Sequence, residues 1–152
     1  MSTLARFDIE GPAEPGKVRA AGIVDFVLSA VVAMLVMPQP FIRSSLMSSG
    51  ATPASIATFV AVLLGGIFLV QFLYVAFFAL KWGRTYPMYL FGLGLDAPTP
   101  PTMREAGGFA FGWLLAALPA VFGVRAAYDG ERGWPARLGG VPTRAVRHDE
   151  AA

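Results

Sequence analysis

Residues 56–80 read IATFVAVLLGGIFLVQFLYVAFFAL, twenty-five positions without one charged side chain. At 1.5 Å per residue a helix of this length measures about 37 Å, enough to cross a bilayer core of about 30 Å. The run closes at Lys81-Trp82, a base beside an indole, which is the chemistry of an interfacial anchor. On its N-terminal side, residues 20–37 form a second apolar run whose only ionisable member is Asp25, and the breakers Pro38 and Pro40 end it. On its C-terminal side, residues 107–124 form a third run, interrupted by Pro119 and closed by Arg125.

The composition agrees with these three segments. Of the 152 residues, 55% are hydrophobic and 14% charged, whereas soluble domains carry about 25% charge. Twelve bases against ten acids leave a formal net charge of +2 and no broad positive field, so nucleic acid is not an expected partner. The absence of cysteine excludes a disulfide scaffold, a thiol nucleophile and a Cys-ligated metal. The expected fold is an all-α integral membrane protein with two transmembrane helices and a third, proline-interrupted segment. Residues 19–128 form its membrane domain, between a polar tail at 1–18 and a basic polar tail at 129–152. A cleaved signal peptide is not expected, because the first apolar run follows mixed charges at Arg6, Asp8, Glu10, Glu14, Lys17 and Arg19.

The third segment has two readings. If it spans, the bases on the two sides balance and the positive-inside rule says nothing. If it enters and turns back near Pro119, one side carries eleven bases and the other only Arg43, the asymmetry expected of a cytoplasmic face. Re-entry requires that protein cover the turn. The expected location is a bacterial cytoplasmic (inner) membrane with the N-terminus in the cytoplasm.

Three stretches carry a family resemblance: Arg19-Ala-Ala-Gly-Ile-Val-Asp25, then Gly83-Arg84-Thr85 with Gly92-Leu93, then Arg132-Gly133-Trp134-Pro135-Ala136-Arg137-Leu138-Gly139-Gly140. Their order and spacing over residues 17–144 resemble the RDD family of small integral membrane proteins. The resemblance implies a polytopic membrane domain without a known enzymatic activity; some members have been linked to ion exchange and others sit beside larger membrane machinery. Arg19, Asp25, Arg84 and Arg137 match the family pattern. Its second aspartate falls on Ala136, and its second-loop glycine and lysine fall on Pro87 and Met88. Asp129, seven residues upstream of Ala136, is a poor substitute, and any mechanism needing two carboxylates is weakened.

Asp25 is the most informative single residue. A carboxylate within a transmembrane helix costs about 2.5–3.5 kcal/mol on insertion scales, so it is expected to face protein and to have a partner. Arg19 lies six residues away and about 120° round the helix, a poor direct partner. The expected intramembrane charge cluster is therefore Arg19, Asp25, Arg84 and Arg104, with the second-loop bases or Arg104 reaching the carboxylate. This cluster reads either as a structural clamp or as a proton or cation site. Gly108, Gly112, Ala116 and Ala120 recur every four residues, a stripe for close helix packing within the chain or in a dimer. Gln71 is expected to hydrogen-bond across helices, and the aromatics from Phe68 to Phe78 are read as bulk facing lipid or a partner.

No cofactor or metal site is expected, since the one histidine, His148, lies in the polar tail. No phosphate loop, nucleophile elbow or zinc-protease motif occurs, and Gly92-Leu93-Gly94 is read as turn chemistry. Two functions are weighed. One is a non-enzymatic structural or accessory subunit, packed in the lipid bilayer against other membrane-protein subunits or as a homo-oligomer. The other is a cation or proton-coupled transporter centred on Asp25.

Overall fold

Thr52 and Gly83 set the ends of the long apolar helix. The Thr52 hydroxyl accepts from the Ser55 N–H at 3.2 Å with Pro53 at the first helical position, and Gly83 adopts φ 64°, donating its N–H to Ala79 O. Only glycine takes that left-handed cap without strain. The structure is a computed structural model that describes residues 9–36, 52–97 and 100–147. Pro38, Pro40, Arg43 and His148, on which parts of the sequence reading rest, lie outside the described residues.

The described chain runs β1 (Ile9–Pro12), α1 (Pro15–Val36), α2 (Pro53–Trp82), a short α3 (Tyr86–Leu90), β2 (Leu93–Leu95), α4 (Met103–Val121), a 3-10 turn (Arg125–Tyr128), α5 (Trp134–Gly139) and β3 (Thr143–Val146). The architecture is mostly helical, as expected. Two helices, α1 and α2, are long and apolar enough to cross a membrane, at about 33 and 45 Å. A small antiparallel sheet in the order β1-β3-β2 is an addition that the sequence reading lacks.

That sheet fixes the helix directions. β1 leads directly into α1, and β2 is bonded to the end of α2 through Leu95 N–H to Gly83 O at 2.9 Å. Both strands pair with β3, with Ile9 opposite Val146 and Leu93 opposite Ala145. The start of α1 and the end of α2 therefore lie at one end of the molecule, and the two helices run antiparallel. Their buried stripes match turn for turn: Val18, Ala21, Gly22, Asp25, Ser29 and Ala33 on α1, with Ile67, Gln71, Val75 and Ala79 on α2. Away from these stripes both helices also present exposed apolar side chains, with Leu35 78% and Leu69 60% exposed.

α4 is the central helix of the sheet end. A reciprocal capping box starts it, with Thr102 Oγ1 accepting from Glu105 N–H and Glu105 accepting from Thr102 N–H. Those bonds hold the Glu105 carboxyl below its usual range. Ala106, Phe109, Ala110, Trp113, Ala116, Ala117 and Ala120 are buried along it. Pro119 sits in the last turn, where its missing N–H costs one intrahelical bond close to the C-terminal end of the helix. The chain then turns at Gly123, φ 85°, with Val124 N–H returning to Pro119 O at 3.0 Å. The following residues run back along α4, first Tyr128 against Trp113, then α5 against Gly112 and Gly108.

Candidate functional site around Asp25

The buried polar groups gather where α1, α2, α4 and the loop after α2 meet. Asp25 is fully buried. Its Oδ2 accepts two hydrogen bonds, from the Thr85 hydroxyl at 2.8 Å and from the Trp113 indole N–H at 3.0 Å. The Tyr74 hydroxyl stands beside the same carboxyl and accepts from Tyr86 N–H at 3.2 Å.

Local geometry explains why an alcohol, and not a base, reaches the carboxylate. Gly83 ends α2, and Thr85 follows in extended backbone, φ −79° and ψ 168°. Neighbouring residues in such a stretch point opposite ways. Thr85 turns inward and caps α3 through Met88 N–H, while Arg84 turns out with its guanidinium carbon 4.6 Å from the Tyr89 ring centre. A cation over an aromatic face is itself a favourable arrangement.

The rest of the expected charge cluster is likewise dispersed. Arg19 Nη2 donates to the carbonyl of Ala120 at 2.8 Å, an oxygen near the end of α4 that also accepts from Gly123 N–H at 3.0 Å. Arg104 is exposed on the first turn of α4. The expectation of a basic partner on Asp25 is thus corrected: the two donors bonded to its Oδ2 are neutral. Arg137, the other family-matching base, is exposed on α5.

The packing stripe lies against the chain itself. A Cβ on Gly112 would come within 2.6 Å of the Trp134 carbonyl, and one on Gly108 would overlap the Leu138 carbonyl. Gly139 abuts Phe109 in return, and Ala116 and Ala120 are fully buried. At the sheet end of α2, Lys81 and Trp82 are exposed, with Trp82 in ring contact with Phe77 and Phe78.

Several members of the site were not singled out in the sequence. Trp113 is fully buried and stacked on Phe109, and Tyr128 meets it edge-on while donating to its carbonyl at 2.9 Å. Gly22 admits the Tyr128 ring, which any larger residue there would displace. A signal was present for one of them: a tryptophan in an apolar run needs an acceptor for its N–H.

Asp129 does not join this site. Its Oδ1 accepts from the backbone N–H groups of Glu131 and Arg132, both at 2.8 Å, which holds the carboxyl below its usual range. Among the described residues, no group of three or more His, Cys, Asp or Glu side chains could hold a metal ion. No family model matches the chain, and neither the curated proteins nor the solved structures yield a match.

Proposed function

We propose that this chain is a non-enzymatic integral membrane protein of the RDD kind that serves as a structural or accessory subunit. In this reading α1 and α2 cross a bacterial inner membrane. The sheet faces the cytoplasm, and α4 with its returning leg forms a re-entrant hairpin on that side. The hairpin reading is supported by the Arg19 to Ala120 bond, which ties the far end of α4 back to the first turns of α1. Along its length α4 buries Ala106, Phe109, Ala110, Trp113, Ala116 and Ala120 against the chain, whereas the turn after it is exposed, with Phe122 at 85% and Val124 at 48%, so the cover that re-entry requires there falls to a neighbouring subunit.

The observation that carries the accessory role is the bareness of α2. From Pro53 to Gly66 its side chains are exposed or half-exposed, and a Cβ at Gly65 would meet nothing within 4 Å. Ala57, Ala61 and Gly65 share one stripe there, where a neighbouring helix could approach closely. Gly108 and Gly112 of α4, by contrast, are already used within the chain. Gentle purification from the native membrane, with a photo-crosslinker at Ala61, tests this. A stoichiometric membrane-protein adduct supports the role, and lipid adducts alone speak against it.

A second reading, a cation or proton-coupled carrier, is favoured by one specific observation: a fully buried carboxyl group on an apolar helix. Sodium or potassium exchange in liposomes that vanishes in a folded Asp25→Asn variant would establish it over the accessory role.

A further inference from the structure

Buried polar atoms in folded proteins nearly always have a partner, and four that do not lie along one seam. Asp25 Oδ1, Ser29 Oγ, Gln71 Oε1 and Gln71 Nε2 are each buried with no hydrogen bond from the protein. Ser29 follows Asp25 by one turn on the buried stripe of α1, and Gln71 precedes Val75 by one turn on that of α2. The helices run antiparallel and pack along these stripes, so Asp25, Ser29 and Gln71 all face the interface between α1 and α2.

The seam is closed at both ends. Toward the sheet, Thr85 and Trp113 occupy the other carboxylate oxygen. Away from it, the next buried residues are Ala33 and Ile67, which offer no polar side-chain atom. The carboxylate oxygen brings acceptor capacity, the serine a donor and an acceptor, and the carboxamide two donors and an acceptor. A bare cation uses only acceptors. A set that mixes donors and acceptors suits a molecule that both donates and accepts, and buried water commonly makes about three such bonds.

We propose that Asp25 Oδ1, Ser29 Oγ and the Gln71 carboxamide bind internal water as one buried cluster between α1 and α2. This site depends on neither functional reading. It holds the second oxygen of Asp25 as Thr85 and Trp113 hold the first.

The sequence makes the test clean, since the chain has two glutamines, Gln39 and Gln71, and no asparagine. Full-length protein labelled with side-chain 15N-glutamine in liposomes gives two carboxamide signals, and a Gln39→Leu variant assigns them. In water-edited solid-state NMR the Gln71 signal is expected at short mixing times; its absence overturns the proposal. A second readout is the sign of a melting shift. Around bound water, Gln71→Leu displaces what serves Asp25 and Ser29, and Tm falls. In a dry seam the same change removes unpartnered groups, and a higher Tm overturns the proposal. Melts in sodium chloride against choline chloride separate the occupants. Equal Tm supports water, whereas a sodium-dependent rise that Gln71→Leu abolishes makes the occupant a cation and overturns it.

Discussion

Trp113 and Asp25, 88 positions apart in sequence, are joined by a 3.0 Å hydrogen bond that locks α4 to α1 inside the bundle. Thr85 donates to the same oxygen from the loop after α2. One carboxylate oxygen thereby fastens three parts of the chain, which is an economical reason for a costly residue in an apolar helix.

Thr85→Val removes one of these donors without changing the side chain's size. It is expected to cost about 1–3 kcal/mol, the range for a buried acceptor losing its bond. In an Asp25→Leu background the same change should cost less, leaving only what the Thr85 hydroxyl contributes as the cap of α3, because the oxygen it served is gone. Thermal unfolding of the four proteins of this cycle gives the coupling. Equal costs in both backgrounds would sever Thr85 from Asp25.

Gly22 and Gly65 offer a contrast of sites. Gly22→Val drives its side chain into the Tyr128 ring, and about 1–3 kcal/mol of destabilisation is expected from overpacking. Gly65→Val meets open space, so its effect should stay within about 0.5 kcal/mol. Melting temperatures in one detergent compare the two directly.

The sheet makes a prediction about sidedness. Arg147 pairs with Glu10 at 3.3 Å across β1 and β3, so cysteines at Glu10 and at Arg147 should react with an impermeant reagent from the same side. A cysteine at Thr52, ahead of α2, should react from the opposite side. The chain has no native cysteine to confuse the labelling. Glu10→Cys and Arg147→Cys labelled from opposite faces would rule out the sheet in the membrane-inserted protein.

Asp129 gives a pH dependence with a defined sign. Its carboxyl is held below the usual 3.8 by the Arg132 and Glu131 N–H groups. A group whose folded value is depressed contributes stability above its unfolded value and loses it as pH falls through the folded one. Asp129→Ala should therefore cost about 1 kcal/mol at pH 7. The gap to the parent protein should close as acid takes the parent below pH 3.8. A gap independent of pH would mean that the contribution comes from packing.

The two apolar helices were legible because long charge-free runs leave few alternatives. Their bounds were not, since a helix ends where its terminal groups are satisfied and not where hydropathy drops. α1 starts at Pro15, five residues before the apolar run, and α2 continues to Trp82, where Gly83 takes the cap. The strands were illegible for another reason. Segments of three or four residues such as Leu93–Leu95 have no periodicity to read, and their pairing with β3 links positions some fifty residues apart or more. At the site, Asp25 declared itself by cost alone. Its donors did not, because a threonine after a glycine turn and a tryptophan in an apolar helix become partners only after the helices cross.

β3 is the middle strand of the sheet yet is synthesised after both of its neighbours. While the chain is being inserted, α1 and α2 can enter the membrane with β1 and β2 still unpaired. The clasp that joins their ends closes only when residues 143–146 leave the ribosome. Assembly of this end is thus intrinsically late, and a nascent chain stalled short of Thr143 would expose two strand edges together, the state most open to capture by another chain.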